Sequence, residues 1–349
     1  MSGGVDSSVA AALLREDGRD VFGVTLRLRE CGDVEESRSC CGVDAVGRAR
    51  AVAAELGVRH YVLDVAREFE AAVLEPAWRE YARGRTPSPC LSCNERIKFG
   101  LLLDWARRLG AEALATGHYA RVGTDGSGAP ILRRGADSQK DQSYFLAGLT
   151  GAQLAGVLFP LGGLRKAEVR AKAAALGLAT RETRDSQDAC LTGPDGFAEA
   201  LRRRFGAEAR EGEIVDEGGR VLGRHRGVHR FTVGQSRGLG AAVPHRVWVK
   251  ELRADEARVV VADDAASLDR IALTATGVVW TAGSPPLTGR CAVQVRYRSA
   301  DLPATVVPVA PRAVRVSFDG PVRGVAPGQA AVFYSGDAVL GRGWIDGAA

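Results

Sequence analysis

The segment Met1-Ser2-Gly3-Gly4-Val5-Asp6-Ser7-Ser8 constrains the fold more than any other stretch of the chain. Two glycines and three hydroxyl side chains stand directly ahead of an apolar helical pattern, Val9 to Leu14. Such a loop lets backbone N–H groups close on a phosphate, and the positive end of the helix behind it favours negative charge. It is not the GxxxxGK[ST] loop, because it has no lysine. A Ser/Gly turn that only caps a helix is the alternative use of the same residues. A phosphate loop of this kind belongs between a strand and a helix of a parallel sheet. The chain begins at Met1 with no room for that strand, so the first strand is expected to be missing from it.

The pattern that follows alternates helix and strand up to about residue 120. Val21–Leu26 reads as a buried strand, Asp44–Leu56 as an Ala-rich helix stopped by Gly57, and Arg59–Val65 as a second strand. A helix at Lys98–Leu109 stops at Gly110, and Ala113–Gly117 reads as a strand ending on glycine. Strands separated by helices imply a parallel sheet with ligands at its C-terminal edge. Loops and helices fill 120–195, and a short helix covers Gly196–Phe205. Glu213–Leu222 is a hairpin with a Gly-Gly turn. From about residue 266, apolar/polar alternation recurs at Cys291–Tyr297, Thr305–Val309, Ala313–Phe318, Ala330–Tyr334 and Val339–Ile345, which suggests a small antiparallel barrel. The expected class is α/β plus β: a nucleotide-binding domain over 1–197, a small central domain over 198–265, and a barrel over 266–349.

No apolar run is long enough to span a bilayer and no charged-then-apolar leader is present, so a cytoplasmic protein is expected. The net charge of +5 suits an RNA partner without requiring one. Only five of the 47 basic residues are lysine (Lys98, Lys140, Lys166, Lys172, Lys250), which makes those five worth watching. A GC-rich genome explains the arginine bias.

Seven cysteines in a reducing compartment point to chemistry or metal rather than a disulfide frame. In Thr86-Pro87-Ser88-Pro89-Cys90-Leu91-Ser92-Cys93, two prolines set an extended entry and the cysteines precede a helix whose N-terminus lowers a thiol pKa. A lone CxxC leaves half a zinc site, a redox pair or two iron–sulfur ligands open. Cys40-Cys41 are poorly spaced for a second zinc pair. Cys190 lies among Asp185, Ser186, Gln187 and Asp188, surroundings that suit a functional thiol better than a core one. Cys31 reads as incidental and Cys291 as core.

These motifs carry a resemblance. The opening loop resembles the SGGxDS loop of the PP-loop ATP pyrophosphatases, which break ATP into AMP and pyrophosphate. Nearly end to end, the chain looks like a tRNA-specific 2-thiouridylase. The match covers SGGVDSS, TPSPCLSCNERIKF, Ala115–Arg121, Lys140–Leu146, the Cys190 loop, Phe231–Gln235 with Gly238–Gly240, and Arg323–Gln329. The resemblance implies exchange of the C2 oxygen of a wobble uridine for sulfur. Adenylation would make AMP the leaving group, with Mg2+ assisting. Cys190 would carry a persulfide received from a cysteine desulfurase or relay protein, and Cys93 would be the second catalytic cysteine, able to form a disulfide with it. It also implies ATP contacts at Met1, Ser2, Gly3, Gly4, Val5, Asp6, Ser7, Leu26 and Gly117. Contacts with tRNA are implied at Ser88, Pro89, Cys90, His118, Lys140, Asp141, Gln142, Arg296, Tyr297 and Gln329. Capping the helix is the alternative role for Asp6. A monomer without membrane contact is expected.

Three departures stand out. Cys90 replaces an Asp usual in relatives and completes a trio with Cys93 and Cys190. Related thiolation enzymes hold a 4Fe–4S cluster with three cysteines, so a cluster on Cys90, Cys93 and Cys190 is a variant of the same reaction. Ser236 stands where relatives usually have Arg, which weakens one RNA contact. Ala189 and Leu191-Thr192 replace bulkier residues beside Cys190. The rival readings are another PP-loop adenylating ligase, which has no need of Cys93 and Cys190, and an RNA-binding module on a decayed ATPase.

Overall fold

Secondary structure follows the local signals closely. A computed structural model describes residues 1–29, 43–183, 195–240, 243, 245–281 and 289–349. Helix α1 (Val5–Glu16) starts after Gly4, carries Asp6 in its first turn and Arg15 in its last, and is followed by Gly18 at φ +76°. Those charges complement the helix dipole, and glycine accepts the left-handed stop. The chain then forms β1 (Phe22–Arg27), α2 (Val43–Glu55) and β2 (Arg59–Asp64). β1 and β2 pair in parallel, Leu26 opposite Leu63. In β1, expected as a buried strand, Gly23 and Thr25 are buried and the other four residues are partly buried.

Two compact units divide the chain. The first comprises Met1–Val73, Cys90–Phe197 and Asp337–Val339; the second comprises Leu74–Pro89, Ala198–Gly336 and Leu340–Ala349. In the first unit a further parallel pair joins β3 (Leu114–Ala115) to β6 (Val157–Leu158). Between them lies the hairpin of β4 (Ala120–Thr124) and β5 (Pro130–Arg134). Val5 and Val9 of α1 pack with Val169 and Ala173 of the helix Lys166–Ala175. Burying such side chains stabilises by about 1.5–3 kcal/mol for each large one. Met1 lies against β1: its amino group donates to the Val24 carbonyl, and its own carbonyl accepts from Thr25 Oγ1 at 2.6 Å.

In the second unit, β7 (Gly212–Val215), β8 (Val221–His225), β9 (Trp248–Arg253) and β10 (Arg258–Ala262) form a sheet in the order β8-β7-β10-β9. Its core is Ile214, Leu222, Phe231, Val249, Val259 and Val261. Six antiparallel strands then close a barrel: β11 (Asp269–Trp280), β12 (Gly289–Gln294), β13 (Leu302–Ala310), β14 (Ala313–Arg323), β15 (Ala330–Ser335) and β16 (Ala338–Ala348). The order runs β11-β14-β13-β12-β15-β16, and β16 returns to β11. Closure leaves no free edge among the six barrel strands, the sheet continuing only from β16 to β5 at Ala338 and Arg133, and Val293, Val306, Val316 and Phe333 fill the interior. β12 ends at Gln294, so Arg296 and Tyr297 lie in a turn rather than in the expected strand. The turn is closed by Ser299 N–H on the Arg296 carbonyl at 3.0 Å. Among the described residues no helix is long and apolar enough to cross a membrane.

Candidate active site

The opening loop is built to leave donors open. Gly3 sits at φ +69°, and a Cβ there would lie 2.4 Å from the Ala45 carbonyl oxygen, so only glycine fits. Ser7 and Ser8 turn their hydroxyls back on the Gly4 carbonyl at 3.1 and 3.0 Å, and Ser2 N–H donates to Ser7 Oγ at 3.1 Å. Gly4 is the N-cap, extended at φ −103° and ψ 163°, and no side chain caps the first turn of α1. A helix N-terminus without a side-chain cap presents its N–H groups to an anion.

A lysine stands at this helix end. Lys166 Nζ donates to Asp6 Oδ1 at 2.7 Å and Oδ2 at 2.8 Å, and the Tyr119 hydroxyl donates to Asp6 Oδ1 at 2.7 Å. The Lys166 side chain is only 11% exposed. Asp6 therefore does not serve as a helix cap; it holds an ammonium beside open N–H groups. Gly117 closes the same corner, since a Cβ there would stand 2.7 Å from Asp6 C and 2.9 Å from Ser7 N. Leu26 is the last residue but one of β1. Lys166 was not among the expected site residues; its one signal was the scarcity of lysine in an arginine-rich chain.

The cysteine segment does not precede a helix, as expected, but lies within one. Pro89–Ser92 is helical and runs into a π-helical stretch, Cys93–Leu102, followed by α-helix at Leu103–Arg108. Proline suits the first position because its missing N–H needs no partner there. π-Turns are rare and cluster at functional sites. Here Gln153 braces the stretch: its Nε2 donates to the carbonyls of Glu95 at 3.2 Å and Phe99 at 2.8 Å. Its Oε1 accepts from Thr150 N at 2.9 Å, completing a capping box. Asn94 Nδ2 donates to the Phe145 carbonyl at 2.9 Å, which anchors the turn that carries Cys93. Cys93 is 7% exposed and Cys90 is exposed. Cys190 and its loop lie outside the described residues, as do Cys31, Cys40 and Cys41. Burial pushes the Cys291 thiol up to about 11, which fits a core residue.

His118 packs against Phe99 and Phe159, with ring centroids 5.8 and 6.0 Å away, and its Nδ1 meets Thr116 Oγ1 at 2.8 Å. Burial, then the charge of Lys98, holds its pKa well below the ordinary imidazole range. That direction favours the neutral ring over the cation. Asp141 accepts from the N–H groups of Gly135 and Ser143 at 2.9 and 3.0 Å, and Gln142 Oε1 accepts from Tyr119 N at 3.0 Å. Both side chains shape their own loop, and the half-buried Lys140 precedes them.

In the second unit, the Thr86–Pro89 strap is held by the barrel. Thr86 N–H donates to the Pro327 carbonyl at 2.8 Å, and Gln329 Nε2 donates to the carbonyls of Thr86 and Pro87, both at 3.1 Å. Gly328, at φ +91°, has no room for a Cβ beside the Thr86 backbone. Ser88 and Pro89 are half-buried in this strap. Gln329 is an expected RNA contact, and both donors of its amide position the strap. Arg296 is exposed and Tyr297 half-buried in their turn, with the Arg298 guanidinium 5.3 Å from the Tyr297 ring centroid.

A family model described as the tRNA methyl transferase HUP domain matches residues 1–194. A PRC-barrel model of the same name matches 199–263, and an aminomethyltransferase beta-barrel model matches 270–345. The tRNA-specific 2-thiouridylase MnmA of Geobacter metallireducens is 46% identical over 353 residues, covering 100% of this chain and 96% of the relative. Its counterpart in Syntrophotalea carbinolica is 47% identical, covering 99% and 97%. That of Acidothermus cellulolyticus is 47% identical, covering 99% and 96%. With this likeness over its whole length, and an open-ended helix, a lysine and a CxxC helix in place, the chain belongs to the tRNA-specific 2-thiouridylase family of sulfurtransferases.

Proposed function

We propose that this chain replaces the C2 oxygen of a tRNA wobble uridine with sulfur, cleaving ATP to AMP and pyrophosphate. The observation that carries the reading is the pairing of an uncapped helix N-terminus with the Lys166 ammonium at Asp6. It is an anion site of the kind a polyphosphate needs. The first-turn N–H groups of α1 and Lys166 would hold the phosphates, with Leu26 at the adenine and Gly117 allowing close approach. Mg2+ takes few protein ligands beside a phosphate; both oxygens of Asp6 already accept from Lys166, and one from Tyr119, so the ion would be held chiefly by the phosphates. When bound, Mg2+ supplies charge neutralisation of the pyrophosphate. Ser88, Pro89, Arg296 and Tyr297 of the second unit, and Cys90, His118 and Lys140 of the first, are each assigned to tRNA contact on this reading.

The uridine O2 attacks the α-phosphorus and pyrophosphate leaves. The outer sulfur of a Cys190 persulfide then attacks C2. The Cys93 thiolate attacks Cys190 Sγ, closing a disulfide as the sulfur departs to the base, and AMP leaves from C2. A thiol reductant returns both cysteines to the reduced state. The persulfide comes from a cysteine desulfurase or relay protein, and the chain works as a monomer. ATP chemistry is assigned to 1–197, a small central domain to 198–265 and tRNA contact to the barrel at 266–349. The cluster variant would use Cys90 and Cys93, three positions apart on one helical stretch, with Cys190 as the third ligand; no step is derived through it.

Mass spectrometry of tRNA nucleosides after incubation with ATP, Mg2+ and a persulfide source tests the reading. 2-Thiouridine is expected, and it should vanish with Cys93→Ser or Cys190→Ser. Full activity in both variants would favour another adenylating ligase. Absence of tRNA-dependent pyrophosphate release would favour a non-enzymatic RNA-binding module.

A further inference from the structure

The loop Phe231–Arg237 carries an arginine site that none of the expected contacts includes. Ser236 Oγ accepts from both Nε and Nη2 of Arg246, at 3.1 and 2.6 Å. The same guanidinium lies over the Trp248 ring, 5.4 Å from its centroid. Arg246 is exposed, and no carboxylate among the described residues pairs with it. Its charge is therefore held in one place without being neutralised. Three of its five N–H groups face no protein acceptor among the described residues, a fork matched to two oxygens of one anion. Arg237, next in the chain to Ser236, is exposed as well.

Backbone bonds fix the position of this platform. Gly234 N–H donates to the Val249 carbonyl and Val249 N–H to the Gln235 carbonyl, both at 2.8 Å, which seats the loop beside Trp248 on β9. The other side of the loop reaches the strap, where Thr86 Oγ1 donates to Thr232 Oγ1 at 3.1 Å. A Cβ on Gly234 would stand 3.4 Å from Gly324 Cα, and one on Gly324 would stand 3.7 Å from Arg296 Nη1. One loop thus joins the nucleotide strap, Arg296 and Arg246.

We propose that Arg246 is a phosphate contact of the tRNA backbone, on the strand running past the target nucleotide, and that Ser236 and Trp248 orient it. Ser236 then does not leave a gap where relatives carry Arg; it receives a guanidinium from position 246. The proposal rests on tRNA being the substrate.

The test is binding of an unmodified tRNA transcript, with uridine at the wobble position, to the full chain across a salt series. Arg246→Ala should weaken binding roughly fivefold to tenfold at about 0.1 M salt. It should also reduce the slope of log affinity against log salt by roughly 0.7–0.9, the signature of one lost phosphate contact. Arg246→Lys should keep the slope, and Ser236→Ala should cost about twofold with the slope intact. Wild-type slope and affinity in Arg246→Ala would overturn the proposal, as would an equal slope loss in Arg246→Lys. If Arg246→Ala does not fold, a changed slope in Ser236→Ala would equally count against it. Thiolation by the wild type alongside an unchanged Arg246→Ala slope would leave the proposed reaction standing while this contact falls.

Discussion

The opening loop of the first unit and the Thr86–Pro89 strap of the second treat backbone polar groups in opposite ways. Around Gly3, Gly4 and Asp6 the hydroxyls fold back on the loop's own carbonyl, and the helix N–H groups keep no side-chain cap. Around Thr86 and Pro87 the carbonyls are taken up by the Gln329 amide and the N–H by Pro327. Open donors ready a site for an anion, whereas satisfied ones hold a segment in place for something its side chains must meet. On the proposed reading, polar residues with the same family likeness divide into ligand groups and positioning groups.

The largest expected effect tests the chemistry beyond both. Cys93→Ser should lower thiolation by at least about a thousandfold while ATP binding persists, because the hydroxyl is not a nucleophile at neutral pH. Nucleoside mass spectrometry beside an ATP-binding assay checks this. An iron and labile-sulfide assay on anaerobically purified protein bears on the cluster variant; fully active, iron-free enzyme would exclude it. Next, Lys166→Met should reduce kcat/KM for ATP by about a hundredfold, the scale for loss of one charged donor at a developing anion. Unchanged ATP kinetics would break the view of the opening loop as the ligand side of the comparison.

A smaller effect belongs to the strap. Gln329→Leu removes two hydrogen bonds and should destabilise by about 1–3 kcal/mol, raising KM for tRNA and leaving KM for ATP alone. Equal effects on both substrates would erase the distinction between the two regions. The smallest effect is a pH dependence of stability. Burial lowers the pKa values of His118, His225 and His229. His225 is fixed as the neutral tautomer, its Nδ1 accepting from Gly227 N–H at 3.0 Å and Nε2 donating to the Ala257 carbonyl at 3.1 Å. Groups with lowered folded-state histidine values stabilise fully above their unfolded value of about 6.5 and lose that contribution as pH falls below it. The Arg202 hydrogen bond holds Glu199 down at about 2, so this carboxylate matters only below pH 4.5. The melting temperature should thus drop by a few degrees between pH 7.5 and 5.5, read by calorimetry.

Residue order alone was enough for much of the architecture. The glycine loop, the Ala-rich second helix, the Gly-Gly hairpin and the alternating barrel strands follow from neighbours a few positions apart. Capping, turn chemistry and periodicity are short-range properties. The same holds for the candidate residues of the opening loop and of the CxxC segment, which stand together in the chain. Contacts across long stretches decided the rest. Lys166 meets Asp6 from 160 positions away, Gln329 reaches Thr86 from 243, and Gln153 braces the π-turn behind Cys93 from 58. Neither partner in these pairs carries a local sign of the other, because a side chain's hydrogen bonds go to whichever group the packed backbone brings within about 3 Å. Only the folded chain could show which polar side chains are candidates for a ligand and which hold the protein to itself.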